Sequence, residues 1–89
     1  MKRVTPSSQF RRDLKRAVKQ GRKIDTLGVV VDLLATGKHL SAHHRPHKLN
    51  GEYNDAWECH IGPDWLLVYQ LNEESVFLIR VGSHTELFD

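Results

Sequence analysis

Three short polar clusters in this 89-residue chain carry the residue types of acid–base chemistry: His47-Lys48-Leu49-Asn50-Gly51, the run from Cys59 to Trp65 (with His60 and Asp64), and Arg80-Val81-Gly82-Ser83-His84. Cleaving RNA without a metal requires a base for the 2′-hydroxyl proton, an acid for the leaving 5′-oxygen and a cation for the charged phosphorane. Histidine can serve as base or acid because its ordinary pKa of about 6.5 lies near neutrality. Arginine supplies the cation through a fixed fork of donors. Asp64 can orient a histidine or act as base, and Trp65, Tyr69 or Phe88 can stack on a nucleotide base.

Each residue also has an ordinary structural use. His60 alone on a half-exposed strand is a surface histidine, and Asp64 after Gly62-Pro63 can hydrogen-bond its own turn. Arg80 can pair with Glu58 across a sheet, and Trp57 and Leu67 suit a core. His84 has the least structural purpose, since it follows the last strand. Convergence of the set favours a site. Zinc is the rival chemistry, because His39, His43 and His47 are spaced to align on a helix. Against it, Pro46 disfavours helix at Arg45, no Glu completes an HExxH pattern, and Cys59 alternates to the core side. The expected site holds no metal and no cofactor, and His43-His44 belongs to a loop near RNA backbone.

Two helices and then a sheet must position these side chains. Residues 7–21 read as a helix: Ser7 or Ser8 can cap it, and Phe10, Leu14, Ala17 and Val18 recur at helical spacing. Its other face carries Arg11, Arg12, Lys15, Arg16, Lys19 and Arg22, and Gly21 ends it. A second helix is expected over roughly 25–36, capped by Asp25, stopped by Gly37, with Leu27, Val30, Val31 and Leu34 buried. Its triple valine also suits a strand. A tight turn at Gly21-Arg22-Lys23 would make the two helices antiparallel. Residues 38–51 lapse into polar loop. Strands are expected at roughly 54–61, 64–71 and 76–82, with a short edge strand at about 2–4. Alternation turns Phe77, Ile79 and Val81 toward the core and leaves Arg80 beside His60 on the open face. Residues 85–89 form a tail. The expected class is α+β, two N-terminal antiparallel helices packed on one face of a small twisted antiparallel β-sheet.

Residues 1–89 are expected to form one domain, burying roughly 60–65% of the unfolded surface. The single cysteine excludes an internal disulfide. The longest apolar run, Trp65 to Tyr69, is far short of the roughly 20 residues that span a bilayer, and the N-terminus lacks a signal-peptide stretch, so a cytoplasmic protein with no membrane partner is expected. The formal charge of +2 conceals an asymmetry: residues 1–23 hold nine Lys/Arg against the single acid Asp13, and residues 51–89 hold eight acids against Arg80. Such a basic front can be a solvated helix face. Beside a histidine-rich site it points to RNA or ribosome contact through Arg11, Arg12, Lys15, Arg16 and Lys19.

The combination of H-x-L-x-G from His47, H-x-x-P-D-W-x-L-x-Y from His60 and R-x-G-S-H from Arg80, with a final Leu87-Phe88, resembles the YafQ branch of the RelE/ParE toxins. The resemblance is strongest over residues 47–88, and the helices in 7–36 have the expected lengths. It implies a type II toxin, a ribosome-dependent endoribonuclease that cuts mRNA in the decoding site, with two helices on a twisted antiparallel sheet. It implies catalytic roles for His47, His60, Asp64 and His84, with His84 as proton donor, and a pocket lined by Arg80, Trp65 and Phe88. The implied partners are a cognate antitoxin, the ribosome and mRNA. His39, His43 and His44 have no counterpart in it. The alternatives on the same fold are a gyrase-directed ParE-like toxin, which lacks this histidine set, and an inactive antitoxin-binding module, which intact histidines argue against.

Overall fold

A computed structural model describes residues 1–51 and 55–88. Helix α1 (Ser8–Lys19) starts where Ser7 Oγ accepts the Phe10 amide at 2.9 Å. The same hydroxyl donates to the Ile79 carbonyl at 2.7 Å, pinning the helix start to the sheet. Phe10 and Ala17 are buried as the spacing predicts, with Leu14 packed at the core's margin, but Val18 is 59% exposed and Asp13 takes a buried place. At roughly 100° per residue, Asp13 lies about 60° to one side of Phe10 and Val18 about 80° to the other. The helix is rotated toward its acid because Asp13 finds partners on the sheet. Gly21 then turns the chain at φ +75°, a conformation glycine adopts without penalty.

Helix α2 (Ile24–Ala35) begins at Lys23, which makes no side-chain cap. Asp25, expected as the cap, sits in the first turn, where its charge suits the helix N-terminus. Leu27, Val30, Leu34 and Ala35 are buried, and Val31 packs at the margin.

Strand β1 (Arg3–Pro6) lies at one edge of a five-stranded sheet, two residues further along than its expected end. The others are β2 (His47–Lys48), β3 (Trp57–Gly62), β4 (Trp65–Leu71) and β5 (Ser75–Gly82), in the order β1-β5-β4-β3-β2. The meander is antiparallel as expected, but β1 runs parallel to β5, so the sheet is mixed. β2 falls within the expected loop: His47 pairs with Glu58 and Lys48 with Trp57. The start of the expected strand at 54 lies outside the described residues.

The helices cover one sheet face. Phe10, Ala17, Leu27, Val30 and Leu34 meet Cys59, Ile61, Trp65, Leu67, Tyr69, Val76, Leu78 and Val81, each large aliphatic side chain contributing roughly 1.5–3 kcal/mol by burial. Phe77 and Ile79 do not join this core. β4 pairs Tyr69 with Leu78 but Val68 with Arg80, an irregularity that inserts an extra residue into β5 and reverses its alternation before Val81. Trp57, expected in the core, is 37% exposed near the sheet margin.

The other face carries a smaller cluster of Ala56, Leu66, Val68 and Leu87, with Leu49 and Ile79 against it. Leu87 comes from a short helix, α3 (His84–Phe88), where a tail was expected. Ser83 Oγ accepts the Glu86 amide at 3.1 Å, and Glu86 Oε1 accepts the Ser83 amide at 2.9 Å. This reciprocal capping box satisfies two amides that a short helix would otherwise leave open.

Candidate active site

The site forms where the β3–β4 turn, the start of α3 and the segment before β2 meet. Gly62 pairs with Trp65 across the turn, leaving Pro63 and Asp64 as its tip. Proline sets the first tip position, and Asp64 adopts φ +45°, a left-handed conformation that aspartate tolerates. Its Oδ1 accepts the His84 amide at 3.0 Å and lies 3.5 Å from His84 Nδ1. The bond from the His84 amide, with the histidine side chain behind it, holds the Asp64 carboxyl below the usual carboxylate range despite slight desolvation. One turn along α3, the Phe88 ring lies 6.0 Å from that of His84.

His60 projects from the face the helices leave open, as its alternation with Cys59 and Ile61 predicts. Its ring lies 6.4 Å from that of His84. Arg45 Nη2 approaches His60 Nδ1 at 3.3 Å. Partial burial lowers the His60 pKa, the charge of Arg45 lowers it further, and nearby Glu58 only partly opposes them. Two residues earlier on the same face, Glu58 is buried and its Oε1 lies 3.2 Å from His47 Nε2. His47 Nδ1 lies 3.2 Å from the Arg45 carbonyl. The two ring nitrogens of His47 thus lie between a carboxylate and a backbone carbonyl. His60 faces a guanidinium, which only donates, so that contact requires an unprotonated Nδ1.

His47, His60, Asp64, His84 and Phe88 therefore gather at one end of the open face. Arg80 does not join His60 as expected. Its guanidinium turns to α1 and grips Asp13 with Nε at 3.0 Å and Nη2 at 2.9 Å, while the Val81 amide donates to the same carboxylate at 3.2 Å. Burial alone would raise the Asp13 pKa, but hydrogen bonds from Arg80, Gln9 and the Val81 amide bring it below the usual value. Trp65 is 3% exposed within the helix-side core, with Arg22 stacked 5.5 Å from its ring centre. Burial also pushes the Cys59 thiol up to about 12, making it an unreactive core group. His43 and His44 form a 3-10 turn, stacked 4.1 Å apart, with Ser41 Oγ against both Nδ1 atoms. Among the described residues, no three His, Cys, Asp or Glu side chains are arranged to hold a metal ion.

The family of bacterial YafQ toxins of type II toxin–antitoxin systems matches residues 2–89. The chain belongs to the YafQ toxin family. Over 83 residues it is 31% identical to the mRNA interferase toxin YafQ of Escherichia coli, spanning 92% of this chain and 90% of that protein. The fold superposes on YafQ in the Escherichia coli DinJ–YafQ complex with TM-score 0.92 and 29% identity, covering all of both chains. A metal-bound toxin from Helicobacter pylori is 44% identical with TM-score 0.91, covering 99% of this chain and 100% of that one. The YafQ fold of two helices followed by a mixed sheet is the fold described above.

Of the expected RNA-binding residues, Arg11, Arg12, Lys15 and Lys19 are exposed on α1, while Arg16 bonds Glu86 at 3.2 Å and Asp13 at 3.5 Å. Sequence reasoning missed Asp13, Glu58 and Arg45. Glu58 was findable, being two residues from His60 on the same strand face. Asp13 was signalled by being the lone acid on a basic helix. The left-handed turn at Arg45 (φ +44°) has no sequence signature.

Proposed function

We propose that this YafQ-family protein is an endoribonuclease toxin that cuts mRNA in the ribosomal decoding site, inhibits translation and is neutralised by a cognate antitoxin in the cytoplasm. The observation that carries this reading is the pair His60 and His84, with rings 6.4 Å apart on an exposed surface. That separation lets one ring reach each side of a phosphodiester. His60, neutral near pH 7, takes the 2′-hydroxyl proton. His84, oriented by Asp64, protonates the leaving 5′-oxygen. His47, fixed by Glu58, stabilises charge beside His60, and Phe88 stacks a base. Arg80 and Trp65 act from behind by fixing the strands. The histidines and aspartate supply both proton transfers, so the chemistry needs no metal.

The names of the relatives support mRNA as the substrate, and the DinJ–YafQ complex supports a protein antitoxin. The exposed cations of α1 supply affinity for ribosomal RNA. In the described residues no helix is long and apolar enough to cross a membrane. Induced expression with primer extension on cellular mRNA tests the reading. Discrete cuts that disappear in His84→Ala support it. DNA damage without cuts would replace it with the gyrase reading, and no growth effect with the inactive module.

A further inference from the structure

Arg80 is the arginine that the sequence pattern offers to the phosphate, yet its guanidinium is engaged by buried Asp13. Arg45 stands in the opposite condition. It is exposed, its guanidinium touches a neutral ring nitrogen of His60 rather than a carboxylate, and its carbonyl touches His47. Its backbone is left-handed at φ +44°, although arginine gains nothing from that conformation. The Arg45 amide donates to the Ala42 carbonyl at 3.1 Å, closing the turn and holding it there. Non-glycine residues held in this region are strained and cluster at functional sites. Beside His43, Arg45, His60 and Pro63 lies a recess of about 220 Å³, several times the roughly 30 Å³ of one water.

We propose that Arg45 is the residue that meets the substrate phosphate, and that in its absence Arg45 holds His60 as the tautomer unprotonated at Nδ1. The inference rests on the ribonuclease reading and names the cation in it. A guanidinium prefers the bidentate geometry of a phosphate to a single neutral nitrogen. When the phosphate arrives, the fork swings to its oxygens and releases the Nδ1 lone pair. His60 becomes a free base only when substrate is present, and the released charge lies where the phosphorane forms. No bond in this step is broken except the hydrogen bond between Arg45 and His60.

Arg45→Gly is the decisive variant, because glycine accepts the left-handed backbone and removes only the side chain. Arg45→Lys restores a point charge without the fork. Single-turnover cleavage of mRNA on programmed ribosomes is expected to fall about 10²–10³-fold in Arg45→Gly and to recover in part in Arg45→Lys. Nitrogen-15 NMR of the imidazoles should show His60 Nδ1 unprotonated in wild type and a tautomer mixture with a raised pKa in Arg45→Gly. Titration with inorganic phosphate should shift His60 in wild type and leave it unmoved in Arg45→Gly. A wild type that cuts no mRNA overturns the ribonuclease reading. A wild type that cuts while Arg45→Gly cuts equally fast overturns the role of Arg45 alone, as does an equal phosphate response in both proteins.

Discussion

Two arginines flank the sheet, and their surroundings separate a structural charge from an available one. Arg80 meets a carboxylate that is 2% exposed and that also accepts the Val81 amide and the Gln9 side chain. Its charge is neutralised and its geometry fixed by α1. Arg45 meets a neutral imidazole on the open face, so its positive charge remains uncompensated by that partner and exchangeable. The same contrast extends across the sheet. The helix side closes over buried Asp13, whereas the open side pairs Asp64 with His84 and Glu58 with His47 at a surface a polyanion can reach.

The sharpest way to separate the two sides is to remove the open side's acid. His84→Ala is expected to lower the cleavage rate about 10²–10⁴-fold, the range for a positioned proton donor, while leaving the melting temperature near wild type because the ring is largely exposed. His60→Ala and Asp64→Ala should lower it less. Full toxicity in His84→Ala would remove His84 from the chemistry.

The second test breaks the closed side. Asp13→Ala leaves Arg80 and the Val81 amide without their shared acceptor. Removing one partner of a buried pair costs about 3–5 kcal/mol, so thermal and urea melts should show a large loss. Any drop in cleavage should be recovered under conditions that restore folding. A melting curve equal to wild type would show that the Arg80 clamp does little for stability.

These two sides were unequally legible in the sequence. The helix-side core followed from periodicity: Phe10, Ala17, Leu27, Val30 and Leu34 recur at helical spacing, and Cys59, Ile61 and Leu67 alternate along strands. Catalytic residue types were legible because His60, Asp64 and His84 are few and close to turns. What escaped depended on contacts between distant segments. The extra residue in β5 breaks the alternation without changing composition, so Phe77 and Ile79 looked like core and Arg80 like a site residue. β2 has only two residues and exists because β3 offers an edge. α3 did carry a signal, the Ser83-x-x-Glu86 capping box, but five residues are too few for periodicity to show.

A smaller effect distinguishes the exposed cations of α1 from Arg16, which is tied to Glu86 and Asp13. Reversing Arg11, Lys15 and Lys19 to Glu should weaken ribosome association and leave the catalytic residues in place. Each phosphate neutralised adds roughly 0.7–0.9 to the slope of log affinity against log salt. The slope should therefore shrink by about one for each phosphate that the variant leaves without its cation. Co-sedimentation of a catalytically silenced protein at increasing salt measures it. An unchanged slope would make the basic face a solubility device.

The mildest test uses protons, and it separates the lowered histidines from Asp13 by pH window. Burial and the neighbouring His43 lower the pKa of His44, as burial and Arg45 lower that of His60. An unfolded chain binds protons at these rings below about pH 6.5, where the folded chain still refuses them. Their contribution is fully present above that value and declines as pH falls through the lower folded pKa. The lowered Asp13 carboxyl acts in the same direction but only in more acidic solution, below the unfolded carboxylate value of about 3.9. Melting temperature should therefore begin to fall below about pH 6.5 and fall again below about pH 4. His44→Gln should flatten the first decline, and Asp13→Asn should remove much of the second. A single acid transition unaffected by His44→Gln would show that His44 titrates alike in the folded and unfolded chain.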